Sequence, residues 1–556
     1  MTKEYRNVLL LKAPYCEFNT SDPSRDADFR NKKTFRPWPS LALASLCAFI
    51  EQYDTFGYHI KAIDINVEAY SSPCEHIDVS VYPSLVENTI LENDYDVLSI
   101  SAMFVFNYQW VDMIVKLSRM HHPDAKIVIG GGYPTIFPER CLTDHEIDDA
   151  IIGEGEDTLL HVLHKYNNFV DENFTTKFPF SGHAGKQSTG EIVVSSKRQY
   201  FLNLEELPSP AWHYLNVEKF FKNSGDSLLS VEASRGCPYQ CTYCCTYLSW
   251  GRKVRYKSVK KVIDEMVELK NKFNVGVIHF VDDNATFSKQ WVKEFMETLI
   301  EMGSPVRFQF SNFSAKHLDE EIIDLLIRSG INYIAIAIET GSKEIQNQIK
   351  KHIDFDQVRD IVKLIKLKGM EVHICWMVGF PHETLEQINE TFALARELRA
   401  DMNHYYIVLP YPGTKLFDEA KAAQLLLIDS DNLENFDYRI GGAIKSDEWN
   451  YEQLFEMIYD INIELNFLNN VLLDQEGGRE IMLQRCEGLL LKLPEHVVAS
   501  MTAGFLHKLK GNLEQSNEYY DNTKRLLEDE KLANVFGRYL LWDNSIVRDY
   551  LEFVAE

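Results

Sequence analysis

Residues 231–247 read VEASRGCPYQCTYCCTY, and this stretch decides how the rest of the chain is interpreted. It places Cys237, Cys241 and Cys244 in a Cys-x-x-x-Cys-x-x-Cys array. A β-type apolar run precedes the array and a helical segment follows it. Three thiolates on one tight loop can bind three irons of a cubic iron–sulfur cluster and leave the fourth iron without a protein ligand. The spacing therefore predicts a cluster with one iron open to chemistry.

A structural zinc site is the alternative for cysteines at this density. Such a site takes four ligands, usually as two separated pairs. Only three cysteines are in register here, because Cys245 lies outside the spacing and no second Cys-x-x-Cys follows. The remaining cysteines stand singly among apolar neighbours, where a free thiol is usually a small buried hydrophobic group. They are Cys16, Cys47, Cys74, Cys141, Cys375 and Cys486.

The cysteine stretch resembles that of the radical S-adenosylmethionine (SAM) superfamily. In that family the open iron is chelated by the amine and carboxylate of SAM. An electron from the cluster then cleaves the sulfonium to a 5′-deoxyadenosyl radical, which abstracts hydrogen from an unactivated carbon. Tyr243 matches the family's position for an aromatic side chain against the adenine. The resemblance implies a 4Fe-4S cluster, SAM as cofactor, and an electron donor such as flavodoxin or ferredoxin.

The composition excludes several classes of protein. A chain of 556 residues with 45% hydrophobic content is globular and long enough for three or four domains. Its formal net charge of −26 disfavours nucleic-acid partners, which bind basic surfaces. No apolar run reaches the roughly 18 residues of a membrane span, and the first residues show no cleavage-site pattern. Ten cysteines without a disulfide framework suit a reducing compartment. We expect a cytoplasmic protein that does not bind membranes.

Residues 1–160 alternate short β-type runs with helical segments, which predicts an α/β fold with a doubly wound, Rossmann-like sheet. The runs are NVLLL, HIKAIDI, DVLSISA, KIVIGGG and AIIGEGE. Ligands of such sheets lie outside the carboxyl ends of the strands. The candidate cofactor-binding residues at those ends are Ser101, Met103, Phe104, Gly130, Gly131, Gly132, Gly153 and Glu154. The triple glycine would let the backbone approach a bulky ligand.

The segments KIVIGGGYPTIFPE and DDAIIGEGE are similar to the cobalamin-binding domain that precedes the radical SAM core in a large subfamily. The Asp-x-His-x-x-Gly motif that supplies an axial histidine in other cobalamin proteins is lacking, as it is in many members of this subfamily. The resemblance therefore implies cobalamin without a protein histidine on the cobalt. A domain that has lost its cofactor is the alternative, because a fold does not fix a function.

Residues 161–225 are expected to form a linker with a glycine-rich hairpin, followed by the extended segment LEELPSPAWHYL, which would strap the first domain to the second. Residues 226–428 then alternate strands and helices at the length of a βα unit. The six strands expected are LLSVEAS, VGVIHFV, VRFQFSN, YIAIAIE, VHICWMVGF and HYYIVLP. They predict a partial (β/α)6 barrel with its active site at the carboxyl ends of the strands.

Other strand ends supply candidate cofactor ligands. Asp282, followed by Asp283, ends the second strand, where its carboxylate could accept from the SAM ammonium or the pair could cap the next helix. The resemblance implies that Glu339 holds the ribose hydroxyls or the amino-acid end of SAM. It also implies that Gly379 and Pro412 flank the adenine, although PYPGT can be a plain turn. The segment WGRKVRY resembles the family's basic segment, or is a surface run of charge.

Residues 429–556 are predicted to form an α-helical domain that could close the barrel mouth. The motifs together favour a cobalamin-dependent radical SAM enzyme that methylates an unactivated carbon of a small molecule or short peptide in a biosynthetic pathway. A radical cyclisation, rearrangement, epimerisation or oxidation, with cobalamin in another role or absent, fits the same motifs. A sensor with a structural cluster is a third possibility, against which the matches at Glu339, Gly379 and Pro412 argue.

Overall fold

The structure is a computed structural model that describes residues 4–15, 38–70, 79–187, 189–195, 200–201, 203–225, 227–311, 313–436 and 443–555. Cys16, Cys74 and the end of the expected hairpin, residues 196–199, lie outside these ranges. Two α/β units and a helical region follow one another along the chain.

The first unit is a seven-stranded sheet in the order β2-β1-β3-β4-β5-β6-β7. Its strands are β1 Asn7–Lys12, β2 His59–Asp64, β3 Val97–Ser101, β4 Lys126–Gly130, β5 Asp149–Ile151, β6 His183–Lys186 and β7 Ile192–Val194. The first five are parallel, which confirms the predicted doubly wound sheet. Separate cores lie on its two faces, so the central strand β3 is buried throughout.

The described residues of this sheet and of the chain that leaves it include nine α-helices. They are α1 Leu41–Tyr53, α2 Ile65–Glu68, α3 Tyr82–Glu92, α4 Tyr108–His121, α5 Gly132–Ile136, α6 Pro138–Asp144, α7 Glu156–Tyr166, α8 Glu172–Lys177 and α9 Val217–Ser224. Helices α1 and α7 cover one face, whereas α3 and α4 cover the other.

The predicted hairpin exists, but it extends the first sheet instead of connecting domains. Strand β6 pairs antiparallel with β5, and β7 pairs with β6. A glycine at position 185 is needed, since a Cβ there would stand 2.5 Å from Oδ1 of Asp149. That carboxylate accepts from Lys165 Nζ and Tyr166 Oη of α7, and it lies 2.5 Å from Nε2 of His183 in β6, so one side chain links α7, β5 and the hairpin.

The expected strap joins the two α/β units. Tyr53 of α1 donates its hydroxyl proton to the Glu206 carbonyl at 2.8 Å, and Ala211 N donates to Ala44 O at 2.9 Å. On the other side, Lys261 Nζ donates to the Glu205 carbonyl at 2.8 Å. The segment is therefore held between a helix of each unit, as the two prolines in LEELPSP predict.

The second unit contains the six predicted parallel strands. With the short pair that flanks the cysteine loop, its strands are β8 Leu228–Val231, β9 Ser234–Arg235, β10 Arg255–Tyr256, β11 Val277–Phe280, β12 Arg307–Phe310, β13 Tyr333–Glu339, β14 Glu371–Val378 and β15 Met402–Ile407. Strands β12-β11-β8 and β13-β14-β15 form two sheets, which a parallel bridge between Phe313 and Ile336 joins. The result is the expected partial barrel.

The strands of this barrel bury their outer faces more deeply than their inner faces. In β14 the residues Val372, Ile374, Trp376 and Val378 are fully buried and pack under the helices. The alternate residues of the strand are half-buried, as expected for side chains that line an accessible interior. In β13 the inner positions hold Ala335 and Ala337, whose small side chains leave room in the lumen.

The helices of the second unit are α10 Thr246–Trp250, α11 Val259–Phe273, α12 Lys289–Glu301, α13 Glu320–Arg328, α14 Lys343–Gln348, α15 Phe355–Leu367, α16 Leu385–Leu398 and α17 Lys415–Ala422. Those of the C-terminal region are α18 Tyr451–Ile463, α19 Glu476–Leu490, α20 Val497–Leu509, α21 Leu513–Leu526, α22 Glu530–Phe536 and α23 Ser545–Ala555. Across the described residues, no helix has the length and apolar character needed to cross a membrane.

The C-terminal region is helical, as predicted, and it packs along the edge of the barrel at β15. Asn403 N in β15 donates to Asn466 Oδ1 at 2.8 Å, and Asn466 Nδ2 returns a bond to Asn403 O at 2.7 Å. One amide side chain thus replaces a neighbouring strand at the open edge. Arg485 Nη1 donates to Asp401 O just before β15 starts. Nearer the carboxyl ends of the strands, Trp449 Nε1 donates to the Glu383 carbonyl at 2.7 Å, in the turn that follows β14. Closure of the barrel mouth by this region stays a prediction.

Candidate functional site

The cysteine loop is closed at its base by β9 and β10, which pair antiparallel. Cys237 N donates to Gly251 O at 3.3 Å, and Gly236 adopts a φ of 94°. A Cβ at Gly236 would lie 2.5 Å from the Lys253 carbonyl oxygen, so only glycine allows the two sides of the loop to approach. Farther along, Thr242 N donates to Ile349 O at 3.1 Å and links the loop to the segment after β13.

The three predicted ligands lie together on this loop, each half-buried with its thiol free. Two have polar neighbours at sulfur: Asn284 Nδ2 lies 3.9 Å from Cys237 Sγ, and Thr246 Oγ1 lies 3.2 Å from Cys244 Sγ. Donors around cysteine sulfurs stabilise the thiolate form that a cluster requires. The donor set therefore fits an iron–sulfur cluster. Cys245 begins the turn into α10 and stays outside the predicted ligand set.

No three histidine, cysteine, aspartate or glutamate side chains of the described residues are close enough together to hold one metal ion. The three cysteines do not form such a group. A four-iron cluster is a larger body than a single ion, and its cysteine ligands stand correspondingly farther apart.

Glu339 and Tyr243 meet at the end of the fourth barrel strand. Tyr243 Oη donates to Glu339 Oε1 at 2.9 Å, and Lys351 Nζ donates to the same oxygen at 2.9 Å. Glu339 is buried, sits at a bulge of β13 and has a φ of 74°, a conformation unusual for a side chain of this size. Burial, with the neighbouring Glu339 carboxylate, raises the pKa of Tyr243 well above its ordinary value. The other carboxylate oxygen remains available for a cofactor hydroxyl or ammonium.

Lys351 is a site residue that the sequence analysis missed. It follows a short helix and a turn, with no motif around it, and its place becomes visible only when the chain returns to β13. The positive charge of Lys351 offsets the negative charge of the buried Glu339 carboxylate.

Asp282 has protein partners. It accepts from Ala233 N at 3.1 Å and from the Ser234 hydroxyl at 2.7 Å, so it caps the end of the first barrel strand. Burial, with the charge of Glu232 nearby, raises the pKa of Asp282 to about 7. The helix-capping alternative for this acid pair is wrong, because Ser288 caps α12 through a bond from Trp291 N at 3.2 Å. Binding of the SAM ammonium by Asp282 stays a prediction.

Gly379 directly follows β14 and has a φ of 87°, and a Cβ there would lie 2.7 Å from Leu454 of the C-terminal region. Its N–H donates to Glu383 Oε2 at 2.6 Å, as does that of Phe380 at 3.0 Å. Glu383 is buried, and burial raises its pKa to about 7. Because the Gly379 N–H is bound by the protein, a contact of this residue with adenine would use its other backbone atoms. That role stays a prediction.

Pro412 is buried in a turn that contacts both the cysteine loop and the first α/β unit. Tyr247 Oη of α10 donates to Gly413 O at 3.3 Å. A Cβ at Gly413 would lie 2.8 Å from Leu248 and 3.3 Å from Ile136 of α5. Across the same boundary, Val105 N donates to the Tyr411 hydroxyl at 2.8 Å. PYPGT is thus a turn, as the alternative stated, and it also brings the carboxyl ends of the two sheets together.

The expected ligand edge of the first sheet contains one exposed and several buried side chains. Met103 is 50% exposed, whereas Ser101 is buried and accepts from Lys12 Nζ at 3.3 Å. Phe104 stacks on Phe106 with ring centroids 5.0 Å apart. Burial lowers the pKa of Lys12 to about 8, against the opposing influence of Asp64. Among the candidate residues at this edge, Met103 has the most exposed side chain.

The triple glycine serves a close approach between two loops. A Cβ on Gly131 would lie 2.3 Å from Ala102 O, and one on Gly132 would lie 2.2 Å from Met103 O. Gly130 has ordinary packing, with Ile151 Cβ at 3.8 Å. We expected these glycines to make room for a ligand. At Gly131 and Gly132 the space that a Cβ would fill is instead occupied by backbone oxygens of the neighbouring loop. The two glycines allow the loops after β3 and β4 to lie together as one platform.

Glu154 lies in a buried network of charges between the two α/β units. Its Oε1 is 2.8 Å from Arg255 Nη1, and its Oε2 accepts from Phe201 N at 2.8 Å. Arg235, at the base of the cysteine loop, binds Glu156 Oε1 at 2.6 Å. These contacts give the GEGE turn a role in joining the units, and none of them supports cofactor binding by Glu154. The neighbouring Gly153 N–H donates to Thr135 Oγ1 at 2.9 Å, in place of a ligand.

His279 is a second residue that the sequence analysis missed. It lies on the inner side of β11, where Ser311 Oγ is 2.9 Å from its Nε2. The Trp38 ring, from the first unit, stands 5.1 Å from the His279 ring at a steep angle. Burial lowers the pKa of His279, which favours the neutral form of the ring. Trp38 and His279 mark the lumen wall that faces both units.

Comparisons with known proteins agree with this arrangement. Residues 231–395 match the family model of the radical SAM superfamily, and residues 32–163 match that of the B12 binding domain. A curated relative, cytidylyl-2-hydroxyethylphosphonate methyltransferase of Streptomyces wedmorensis, is 27% identical over 501 residues, which are 84% of this chain and 91% of that protein.

Two solved structures share the fold. The cobalamin-dependent S-adenosylmethionine radical enzyme OxsB, with aqua-cobalamin and S-adenosylmethionine bound, has a TM-score of 0.63 at 14% identity, covering 99% of this chain and 84% of its own. The radical S-adenosylmethionine methyltransferase TsrM from Kitasatospora setae, with cobalamin and a 4Fe-4S cluster bound, has a TM-score of 0.57 at 15% identity and covers 77% and 80%. The chain therefore carries a domain of the radical SAM superfamily over residues 231–395, preceded by a B12 binding domain over residues 32–163.

Proposed function

We propose that this protein is a cobalamin-dependent radical SAM methyltransferase that transfers a methyl group to an unactivated carbon of a small molecule. The observation that carries the proposal is the meeting of two strand-end loops. The turn at Gly413 contacts both Leu248, in the helix after the cysteines, and Ile136, at the end of the short helix α5 that follows β4. The expected sites of the cluster and of the corrin ring therefore face a common space.

In this proposal Cys237, Cys241 and Cys244 bind the cluster, residues 1–160 hold cobalamin, and residues 226–428 hold SAM. When bound, the cluster supplies the electron that cleaves SAM, and cobalamin supplies the methyl group. The loops joined at Gly131 and Gly132 form the platform for the corrin ring, on which Met103 is the exposed side chain. This arrangement does not require the Asp-x-His-x-x-Gly motif, which the sequence lacks.

The protein's own groups position SAM at the barrel end. The free oxygen of Glu339 accepts from ribose hydroxyls or the SAM ammonium, while Lys351 and Tyr243 hold the carboxylate in place. Buried partners of this kind fix the orientation of an acceptor before the ligand arrives. We assign the adenine to the space beside Tyr243, whose ring lies 6.4 Å from that of Phe380.

The substrate is assigned to the open lumen below the corrin platform. Ala335 and Ala337 leave space there, and Trp38 and His279 form part of its wall. Enclosure by two α/β units favours a small ligand over a folded macromolecule. The methyltransferase relatives support methylation, and the name of the Streptomyces wedmorensis enzyme suggests cytidylyl-2-hydroxyethylphosphonate as the first substrate to test.

The test is product analysis on protein reconstituted anaerobically with iron, sulfide and hydroxocobalamin, then supplied with SAM, dithionite and cytidylyl-2-hydroxyethylphosphonate. Methyl transfer through two uses of SAM predicts both S-adenosylhomocysteine and 5′-deoxyadenosine. Formation of 5′-deoxyadenosine without S-adenosylhomocysteine would exclude methylation and favour a cyclisation, rearrangement, epimerisation or oxidation. Formation of neither would contradict the proposal as a whole.

A further inference from the structure

Basic side chains surround the tip of the cysteine loop, although the chain carries a net charge of −26. The basic patch consists of Arg252, Lys253, Lys316 and Lys350. The first three are exposed and Lys350 is half-buried. They come from the segment after the loop, the segment after β12 and the segment after β13. The fold therefore collects positive charge from three parts of the sequence at one place.

Contacts with Tyr239, at the tip of the loop, show that these segments meet. Arg252 Nη1 donates to the Tyr239 carbonyl at 2.5 Å, and Lys316 Nζ lies 5.5 Å from the centroid of the Tyr239 ring. Lys316 Nζ also lies 3.4 Å from Lys351 O, next to Lys350. The Lys253 carbonyl packs against Gly236, one residue before the first cysteine. The patch is thus within a few residues of Cys237 and Cys241.

These cations are not neutralised locally. Among the residues that the structure describes, no carboxylate lies within 4 Å of the charged groups of Arg252, Lys253, Lys316 or Lys350. Neighbouring surface lysines differ, since Lys289 pairs with Asp319 and Lys293 with Glu321. Asp283 is an exposed acid whose negative charge acts on Cys237, and within the described part of the chain it forms no ion pair with the patch.

We propose that the basic patch is the docking surface for an acidic one-electron carrier protein of the flavodoxin or ferredoxin class. An acidic carrier is repelled by most of a surface with this net charge, so the approach is favourable only where positive charge is exposed. Redox partners commonly form small, transient interfaces, for which a few charges determine the association rate and orientation. Here that orientation places the carrier directly over the loop that holds the predicted cluster ligands.

This inference rests on the proposed function, because it assumes that Cys237, Cys241 and Cys244 hold a cluster that must be reduced. The step moves one electron: the carrier is oxidised by one electron, the cluster is reduced by one, and no atom is transferred. Dithionite, a small reductant, can deliver the same electron without docking. The two reductants therefore separate a defect in docking from a defect in catalysis.

The test compares the rate of 5′-deoxyadenosine formation with reduced flavodoxin and with dithionite. In the double variant K253E/K316E the flavodoxin-driven rate should fall by about tenfold or more at low salt, the range over which electrostatic steering changes association rates. The dithionite-driven rate and the iron content should stay at the wild-type level. K524E, which reverses an exposed lysine in α21 of the C-terminal region, is the matched control and should keep both rates.

Salt provides an independent readout. Added salt should slow the wild type, where it screens attraction, and should speed K253E/K316E, where it screens repulsion. Equal flavodoxin-driven rates in wild type and K253E/K316E would overturn the proposal. Loss of the dithionite-driven rate in that variant, and in the milder K253Q/K316Q, would assign the lysines to loop structure and would also overturn it. A wild type inactive with dithionite would instead contradict the proposed function.

Discussion

The Tyr243 hydroxyl donates to the Glu339 carboxylate across 2.9 Å, so the cysteine loop is tied to the end of the fourth barrel strand. If Glu339 also binds SAM, Glu339→Gln should weaken SAM affinity by roughly tenfold to a hundredfold, since a hydrogen bond to a charged group is worth about 1.5–3 kcal/mol. Tyr243→Phe should weaken SAM affinity by only about fivefold, because Lys351 still holds the Glu339 carboxylate. Anaerobic equilibrium dialysis of SAM on cluster-loaded protein measures both.

Iron content is the control for this pair of variants, and both should retain it. Equal SAM affinity in Glu339→Gln and wild type would remove Glu339 from the cofactor site. A greater loss in Tyr243→Phe than in Glu339→Gln would reverse the roles assigned to the two residues.

Gly131→Ala should abolish binding of the corrinoid, because the new Cβ would stand 2.3 Å from Ala102 O and would push apart the loops after β3 and β4. The backbone φ of 109° adds strain. Absorbance of bound hydroxocobalamin after gel filtration is the measurement. Gly190→Ala, also at positive φ but with open space around it, is the control and should bind normally. Normal corrinoid binding by Gly131→Ala would show that the platform is not the cobalamin site.

Glu154→Gln should destabilise the protein by about 3 kcal/mol or more, since it leaves buried Arg255 without its carboxylate partner. Arg235 keeps its ion pair with Glu156 in this variant, so the base of the cysteine loop should be destabilised less than the contact at Arg255. Asp264→Asn breaks the exposed pair with Lys260 and should change stability by less than about 1 kcal/mol. Urea unfolding followed by fluorescence compares the two variants. Equal midpoints would mean that the network does not join the units.

Glu383 predicts a pH dependence of stability. Its pKa is raised from 4.5 to about 7 by burial, so between these pH values the folded protein keeps a proton that the unfolded chain releases. Its contribution to stability is therefore present below about pH 4.5 and is lost as the pH rises to about 7. Glu383→Gln does not titrate. Relative to the wild type, the stability of this variant should rise by about 2.5 kcal/mol from pH 5 to pH 8, which thermal melts at the two pH values would detect. A constant difference would contradict the raised pKa.

Local sequence patterns predicted the strands because burial repeats along the chain within a few residues. The runs that became β1 to β5, and the six barrel strands, each carry that signal. The cysteine array carries its meaning in the same way, through spacing alone. The triple glycine was correctly predicted to be a place of close approach, but the approaching group is a protein loop and not a ligand. A sequence shows that a Cβ is missing but not which atoms occupy its place.

Partners that lie far apart in the chain could not be predicted. Glu154 pairs with Arg255, and Asp282 caps Ala233 and Ser234, only because the two α/β units or neighbouring strands come together. Lys351 reaches Glu339 by the same kind of return. Glu154, Asp282 and Glu339 each lie at or just after the end of a strand, which is also where a cofactor ligand would lie. Their neighbours in sequence do not show whether such a carboxylate binds the protein or a ligand.

The most direct test of the account is the iron content and SAM cleavage of four single alanine variants, at Cys237, Cys241, Cys244 and Cys245. The first three should lose the cluster and form no 5′-deoxyadenosine with dithionite, while the first α/β unit stays folded by circular dichroism and still binds hydroxocobalamin. Cys245→Ala should keep both iron and cleavage. Loss of iron and activity in Cys245→Ala, with Cys244→Ala still active, would contradict the register of the site on which the account depends.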